Sequence, residues 1–196
     1  GLLRRQRQMC IRDSNNSVRI DKKIPKLIFF QFCSVIFAFS FLIFAFLVSD
    51  FSNETVYNNS HSTKPLFYKI TGVWGNHEGS LLLWLLVLTS FVLFFAIKSK
   101  NEPKNFRLHT ILFHQIITIG FFIFVLKTSS PFNLIFPVPS EGLGLNPILQ
   151  DPALGIHPPI LYVGYVGTSI VFASALSAMI NGYVNNEWAK NLKFWT

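Results

Sequence analysis

The sequence predicts an all-α protein, a polytopic bundle of about four membrane-spanning helices. Hydrophobic residues make up 51% of the 196 residues and charged residues only 13%, which is a low charge content for a soluble domain of this length. The apolar residues are also concentrated in four continuous runs, each about as long as a bilayer core requires. One such run alone is equally typical of a buried helix in a large soluble protein, but four in one short chain favour a membrane bundle.

The predicted helices follow the apolar runs, and the connecting segments contain the polar and turn-forming residues. The transmembrane helices are expected at 27–48, 81–97, 111–127 and 158–181. The connections are a loop at 49–80, a basic loop at 98–110 and a proline-rich loop at 128–157. Asn53, Asn58 and Asn59 indicate a solvated tip in the first loop.

The basic residues predict the orientation of the bundle. Lysine and arginine cluster in a flank at 15–26 and in the loop at 98–110, whereas the loop at 49–80 has only Lys64 and Lys69 and the loop at 128–157 has none. Cytoplasmic loops carry the excess of such residues. We therefore expect both ends of the chain to be cytoplasmic (N-in/C-in), including the tail at 182–196, and the loops at 49–80 and 128–157 to lie on the outer side.

The first 14 residues differ from the rest of the chain. They are basic and polar, and Met9-Cys10-Ile11-Arg12-Asp13-Ser14 matches the translation of a transposase-type sequencing adapter. They also lack the apolar stretch of a secretory signal. We interpret residues 1–14 as a sequencing-adapter artefact and assign them no function.

The net charge of +8 does not indicate nucleic-acid binding, because the basic residues lie in short clusters beside apolar runs and this is the pattern of a membrane protein. The two cysteines, Cys10 and Cys33, form no motif. Cys33 lies in an apolar run, where a small buried thiol is the simplest interpretation. The chain contains no Gly-rich phosphate loop, nucleophile elbow, Cys-x-x-Cys or His-Glu-x-x-His pattern.

His157 is the strongest candidate for a functional residue. It precedes two prolines and an apolar run. A residue before proline is disfavoured in the helical region, and proline is accepted in the first helical turn. We therefore expect His157 just outside the fourth helix, near its positive dipole end, where a neutral imidazole able to ligate iron or zinc is favoured. The alternative is a histidine that only caps the helix or lies at the interface.

His77 occupies a similar position before the second predicted helix, so both histidines are expected at the same membrane depth. Glu78 is placed either to orient His77 or to complement the helix N-terminus. His109 and His114 lie at the inner end of the third helix without a visible partner. A histidine inside a membrane is a functional candidate, but we expect neither to bind a ligand.

Three aromatic residues lie near the same outer boundary: Trp74, Tyr162 and Tyr165. They are typical of an interfacial aromatic belt and equally suited to form a wall for a flat hydrophobic ligand. Gly164 and Gly167 on the fourth helix are explained by close helix packing.

Two long motifs resemble signatures of the cytochrome c maturation protein F family (CcmF). The first is Trp74-Gly75-Asn76-His77-Glu78-Gly79-Ser80-Leu81-Leu82-Leu83-Trp84. The second joins Asn146-Pro147-Ile148-Leu149-Gln150-Asp151-Pro152 to His157-Pro158-Pro159-Ile160-Leu161-Tyr162-Val163-Gly164-Tyr165-Val166-Gly167. The resemblance runs over about residues 27–196, and the related subunit of nitrite-reductase assembly shares it.

The resemblance implies a haem lyase that receives haem from a membrane haem chaperone at the outer face. Such proteins help join the haem vinyl groups to the thiols of apocytochrome c, with thiol-reducing and docking subunits as further partners. By motif match, His157 is implied to be an axial ligand of the haem iron, and Trp74, His77, Tyr162 and Tyr165 are expected near the bound haem. No residue is assigned a catalytic role.

The family's second outer histidine, its ligands for a resident haem b and its tryptophan-rich segment are not in this sequence, so a fragment is expected. The expected location is the bacterial inner (cytoplasmic) membrane, with the mitochondrial inner membrane as the alternative. Two other functions stay open at this point: a membrane transporter or channel segment with a gating histidine, and a structural subunit that only docks partners. Inverted repeats or helices broken at mid-membrane would favour the transporter, and neither is visible.

Overall fold

The computed structural model describes the backbone of residues 2–195 and the side chains of residues 23–195. The interpretation of residues 1–14 as adapter-derived therefore falls outside the residues whose side chains are described. Seven α-helices are formed within the described backbone: α1 Leu2–Val48, α2 Glu54–Asn59, α3 Leu66–Gly72, α4 His77–Lys98, α5 Lys104–Thr128, α6 Pro152–Asn181 and α7 Asn186–Leu192.

Four of these helices are long and apolar enough to cross a bilayer, which confirms the predicted fold class. The candidate spans are Lys23–Val48, His77–Asn101, Lys104–Thr128 and Pro152–Asn181. Helix α4 is the central one, since 50% of its most apolar stretch is buried, against 22% for α1, 28% for α5 and 39% for α6. The other three helices therefore present most of their apolar surface outward, as expected of helices that contact lipid.

Helices α4 and α6 begin earlier than the apolar runs predict, because side-chain caps rather than hydropathy determine where they start. Asn76 accepts a hydrogen bond from the Gly79 N–H (2.7 Å) and so begins α4. Asp151 accepts from the Ala153 and Leu154 N–H groups (2.8 and 3.2 Å) and begins α6. Both satisfy amide donors that the first turn of a helix leaves unpaired.

The predicted loops at 49–80 and 128–157 lie together at one end of the bundle, which we call the long-loop end. The Ser62 hydroxyl and backbone N–H donate to the Glu141 carboxylate, and these two hydrogen bonds are the main reason that the pKa of Glu141 falls to about 2. The Lys64 ammonium lies 3.5 Å from the Leu145 carbonyl oxygen. The contacts between the two loops are therefore polar and involve a carboxylate that stays charged near neutral pH.

Asn53 corrects one expectation about the first loop. Its side chain is buried, accepts from the Val56 N–H (3.1 Å) as the N-cap of α2, and donates to the Pro131 carbonyl (2.9 Å). The prediction of a solvated tip was wrong for this residue, because an asparagine that caps a helix has the same sequence signature as one in a solvated turn.

The opposite, short-loop end is closed by aromatic and amide side chains. The Tyr183 hydroxyl donates to the Glu102 carboxylate (3.1 Å). Burial, and after it this hydrogen bond, raise the pKa of Tyr183. Trp188 donates to the Ser174 hydroxyl (3.0 Å), and Trp195 packs against Phe95. Farther into the bundle, Gln31 of α1 and Gln115 of α5 exchange two side-chain hydrogen bonds of 3.1 and 2.8 Å, which join two helices where no water competes.

The orientation of the bundle is a testable prediction, since the lysines at 98–104 lie at the short-loop end and the lysine-poor loops at the other. A reporter enzyme fused after Asn59 or after Gly144 should be exported, and one fused after Lys100 should stay in the cytoplasm. Alkaline phosphatase activity and cytoplasmic fluorescence measure the two outcomes. A cytoplasmic reporter at Asn59 or Gly144 would reverse the assigned sides.

Candidate functional site

His157 lies inside α6, in its second turn, five residues after the helix begins at Pro152. The expectation that it sits just outside the helix was wrong. Asp151 and Pro152 already supply the cap and the first helical position, so Pro158 and Pro159 are accommodated within the helix instead of starting it. The dipole effect is largest in the first turn and is therefore weaker at His157 than expected. The imidazole itself is exposed.

The indole of Trp74 compensates for the backbone disruption that Pro159 causes. In a helix the carbonyl of residue 155 would accept from the N–H of residue 159, but proline has no N–H. Trp74 Nε1 donates to this Gly155 carbonyl instead, at 2.8 Å. Trp74 therefore ties the first turn of α6, two residues before His157, to the segment that leads into α4.

Gly155 allows this close approach. A Cβ atom at position 155 would lie 3.0 Å from Thr71 Cγ2 and 3.3 Å from the Phe67 ring. A larger residue would push α6 away from α3, and the hydrogen bond from Trp74 would lengthen. The sequence offered a signal for this contact, because a helical carbonyl four residues before a proline needs a donor from elsewhere.

A shallow groove of about 400 Å³ runs along α6 on the side that carries His157. Ile160, Leu161, Gly164, Tyr165 and Thr168 line it. Residues 161, 164, 165 and 168 follow His157 at intervals of 4, 7, 8 and 11, so they share its face of the helix. Nothing described lies within 4 Å of a Cβ atom placed on Gly164.

The two glycines of α6 have different surroundings. Gly167 fits the expectation of close packing, since a Cβ atom there would lie 2.8 Å from the Phe91 ring. Gly164 does not, because it faces the open groove and contacts no other helix among the described residues. The packing interpretation is therefore confirmed at Gly167 and wrong at Gly164.

The aromatic candidates divide into two groups. Trp74 stacks on Phe39 (centroids 6.4 Å apart), and Tyr162 packs against Trp84 (5.2 Å), which itself stacks on Phe121 (5.4 Å). Tyr165, in contrast, is 68% exposed and forms part of the groove wall. Of the three aromatics singled out in the sequence, Tyr165 is thus the one with a free ring face.

His77 is the first residue of α4, and its Nε2 atom lies 3.0 Å from the Ser129 hydroxyl at the end of α5. Among the described residues it makes no hydrogen bond with Glu78. Glu78 lies in the first turn of α4, where a carboxylate complements the helix N-terminus. Ser129 as the partner of His77 had no signal in the sequence, since it is 52 residues away.

The motifs and the geometry agree with the comparison to known proteins. Residues 74–196, more than half of the chain and all of the site residues named above, match the family described as cytochrome C assembly protein. The chain belongs to this family. It is 50% identical over 165 residues to the cytochrome c-type biogenesis protein CycK of Rhizobium meliloti strain 1021, covering 84% of this chain and 24% of that protein.

Other relatives give the same result. Identity is 41% to the cytochrome c-type biogenesis protein CcmF of Escherichia coli K12 (84% of this chain, 26% of the relative) and 42% to the cytochrome c-type biogenesis protein NrfE of Haemophilus influenzae (79% and 24%). A solved structure of the cytochrome c haem lyase CcmF superposes with a TM-score of 0.75 at 26% identity, covering 90% of this chain and 27% of that one. The chain spans about a quarter of the length of the curated relatives it matches.

His109 and His114, the two histidines of α5, have partners that the sequence did not reveal. His114 is fully buried, with Nε2 3.1 Å from the Ser169 hydroxyl of α6 and Nδ1 3.3 Å from the Thr118 hydroxyl. His109 hydrogen-bonds the Asn181 side chain at the short-loop end. The expectation that neither has a visible partner was wrong: Ser169 and Asn181 lie on a different helix, 55 and 72 residues away, and Thr118 lies one turn after His114 on α5 itself.

A haem site needs fewer protein ligands than a site for a bare metal ion. Between residues 23 and 195, no three His, Cys, Asp or Glu side chains converge to hold a bare metal ion. Haem iron needs only one or two axial imidazoles, since the porphyrin supplies the other ligands. Within the same residues His157 has no hydrogen-bond partner, so both ring nitrogens are available. An exposed imidazole beside an apolar groove that lacks a side chain at Gly164 fits a flat, apolar, iron-containing ligand.

Proposed function

We propose that this chain is the haem-accepting part of a haem lyase of cytochrome c maturation. The observation that supports the proposal most directly is the unpartnered imidazole of His157 beside the groove on α6. Family membership restricts the possible ligands to those that take part in cytochrome c assembly. The relatives belong to bacteria, and we infer the same setting, the cytoplasmic membrane, with the long-loop end on the outer side.

In this proposal haem is the substrate and the protein positions it. His157 supplies one axial ligand, and the groove residues Leu161 and Tyr165 contact the apolar face and edge of the porphyrin. Gly164 leaves room for the ring. Trp74 is a positioning residue, because its hydrogen bond to Gly155 fixes the turn from which His157 projects. His77 and Tyr162 support that turn from the protein side, His77 as the first residue of α4 and Tyr162 through its packing against Trp84.

The bound haem supplies vinyl groups, which form thioethers with the two thiols of a Cys-x-x-Cys-His site. The proposed partners are a membrane haem chaperone that delivers haem at the outer face, apocytochrome c, and the subunits that keep its thiols reduced. We infer that the second axial histidine, the tryptophan-rich segment and the ligands of a resident haem b lie in the part of the relatives that this chain does not cover.

His157→Ala tests the proposal in a complete protein. We suggest replacing the matched segment of the Escherichia coli CcmF, 26% of that protein, with the 166 residues of this chain that match it. The exchanged protein should restore cytochrome c maturation, and His157→Ala should abolish haem capture while leaving the protein level in the membrane unchanged. His157→Cys should retain part of the haem, since a thiolate also ligates iron. Haem absorbance of the purified protein and the yield of mature cytochrome c are the measurements.

His109→Ala is the matched control, because His109 lies at the opposite end of the bundle and, within the described residues, hydrogen-bonds only the Asn181 side chain. It should leave haem capture near the unsubstituted level. Normal haem capture by His157→Ala at a normal protein level would reduce His157 to a surface histidine of α6. An exchanged protein that inserts normally but never matures cytochrome c would count against the function itself.

A further inference from the structure

A largely exposed apolar loop edge projects from the long-loop end. It consists of Phe132, Leu134, Phe136 and Val138, whose side chains are 37%, 77%, 94% and 57% exposed. We call these four residues the apolar edge. They lie two residues apart in the chain, and all four are exposed at the long-loop end although a turn at 131–132 and bends at 136–137 interrupt the segment. An exposed set of four large apolar side chains is unusual for a loop in water.

Backbone hydrogen bonds hold the apolar edge beside the residues that directly follow α1. The Glu54 N–H donates to the Asn133 carbonyl (2.9 Å), and the Ile135 N–H donates to the Ser52 carbonyl (2.8 Å). Asn53 and Leu134 form an isolated antiparallel bridge between these bonds. Residues 52–54 follow within six residues of Val48, where α1 ends. The edge is therefore held where the apolar span of α1 leaves the bilayer.

The apolar edge is continuous with the lipid-facing side of α1. Phe37, Phe41, Phe44 and Val48 are 73%, 56%, 58% and 55% exposed, and their spacing of 4, 3 and 4 puts them in one stripe along the helix. Phe132 contacts this stripe directly, with its ring centroid 6.3 Å from that of Phe41. One uninterrupted apolar surface thus leads from the membrane-spanning part of α1 to the loop.

The composition of the loop suits a lipid surface better than a protein surface with charged groups. Residues 128–140 contain no Asp, Glu, Lys, Arg or His. Pro131, Pro137 and Pro139 have no backbone N–H, so three donors that would need a partner away from water are missing. Glu141, which follows the uncharged stretch, is instead hydrogen-bonded to Ser62.

We propose that the apolar edge inserts into the adjacent bilayer leaflet, with its backbone at the interface and its side chains among the upper acyl carbons. This anchor is independent of haem binding. It fixes the long-loop end at the membrane surface, since the backbone of the edge is bonded to residues 52–54 and these belong to the loop that leads to α3 and Trp74. Interfacial aromatic and aliphatic side chains of monotopic segments bury to about 5–10 Å in the same way.

Spin-label accessibility tests this insertion in the whole 196-residue chain, reconstituted in phosphatidylcholine vesicles after Cys10→Ser and Cys33→Ser. A nitroxide attached at Phe136→Cys should collide more with oxygen, which dissolves in lipid, and less with a water-soluble nickel chelate. We expect the ratio of the two collision rates to be severalfold higher than at Asn58→Cys, an exposed position of α2, and to approach the value at Phe37→Cys, near the middle of the apolar span of α1. Leu134→Cys provides a second labelled position if Phe136→Cys does not fold.

Three results would overturn the proposal. A ratio at position 136 equal to that at position 58 would place the edge in water. Protection of position 136 from both reagents would mean that protein, either a second copy or a partner, covers it. A ratio at position 134 equal to that at position 58 would likewise place the edge outside the lipid.

Discussion

Replacing Gly79 by alanine is expected to prevent α4 from starting correctly and to remove most of the folded protein. A Cβ atom on Gly79 would lie 1.7 Å from the Val73 carbonyl oxygen and 2.9 Å from its carbon. Both atoms belong to the backbone, so no side-chain rotation relieves the contact. The turn at residues 73–76 would have to open, and the cap that Asn76 forms on the Gly79 N–H would be lost with it.

The free-energy contributions predict that Gly79→Ala loses stability. Alanine gains up to about 1 kcal/mol over glycine within a helix. Loss of an N-cap alone costs about 1 kcal/mol, and forcing atoms into occupied space adds roughly 1–3 kcal/mol or more. We expect a net destabilisation of about 1–4 kcal/mol by these terms. The fraction of monodisperse protein in mild detergent and its thermal midpoint measure the effect.

Gly120→Ala is the matched control for this substitution. Gly120 lies in the middle of α5, and no described atom lies within 4 Å of its hypothetical Cβ. The same chemical change should therefore be neutral or stabilising there. Equal behaviour of the two variants would show that the turn before α4 is more pliable than the contact at Gly79 implies.

The sequence predicted the number and the approximate position of the membrane helices because hydropathy depends on composition alone. It placed their first residues too late. The runs at 81–97 and 158–181 omit the capped first turns that begin at His77 and Pro152. These turns contain Gly, Glu, His and Pro, and a hydropathy pattern does not register a helix that starts with such residues.

The error at His157 has a specific cause. The rule that a residue before proline avoids the helical region was applied without the stronger start signal upstream, where Asp151 precedes Pro152. An Asp followed by proline is a typical N-cap and first helical position. Once α6 begins there, the Gly155 carbonyl loses its donor and the hydrogen bond from Trp74 becomes necessary. His157 and Trp74 were thus both identified, but the bond that connects their two segments was not.

The contacts across helices could not be predicted at all. The pairs His77–Ser129, His114–Ser169 and Gln31–Gln115 are 52, 55 and 84 residues apart. Serine, glutamine and histidine within apolar runs indicate polar contacts in general, but a single sequence does not reveal which helix provides the partner. The open groove at Gly164 could not be predicted either, since a glycine in a membrane helix is equally typical of a packed interface.

Replacing His114 by alanine is expected to destabilise the bundle while leaving haem capture per folded molecule unchanged. The imidazole is 0% exposed and connects α5 to the Ser169 hydroxyl of α6. Truncation to alanine leaves a cavity, for which large-to-small changes cost about 2–5 kcal/mol. Loss of an interhelical hydrogen bond in a membrane adds about 0.6 kcal/mol. His157 lies 12 residues before Ser169 on α6, roughly 18 Å along the helix, and should keep its position in the molecules that fold.

His114→Gln separates the two contributions, because its amide can still bond the Ser169 hydroxyl while part of the ring volume is lost. It should retain more than half of the stability that His114→Ala loses. The thermal midpoint in detergent gives the stability, and haem absorbance divided by the amount of monodisperse protein gives the capture per folded molecule. Haem capture that falls in His114→Ala even after this normalisation would show that the buried imidazole influences the haem site, and would contradict its purely structural role in joining α5 to α6.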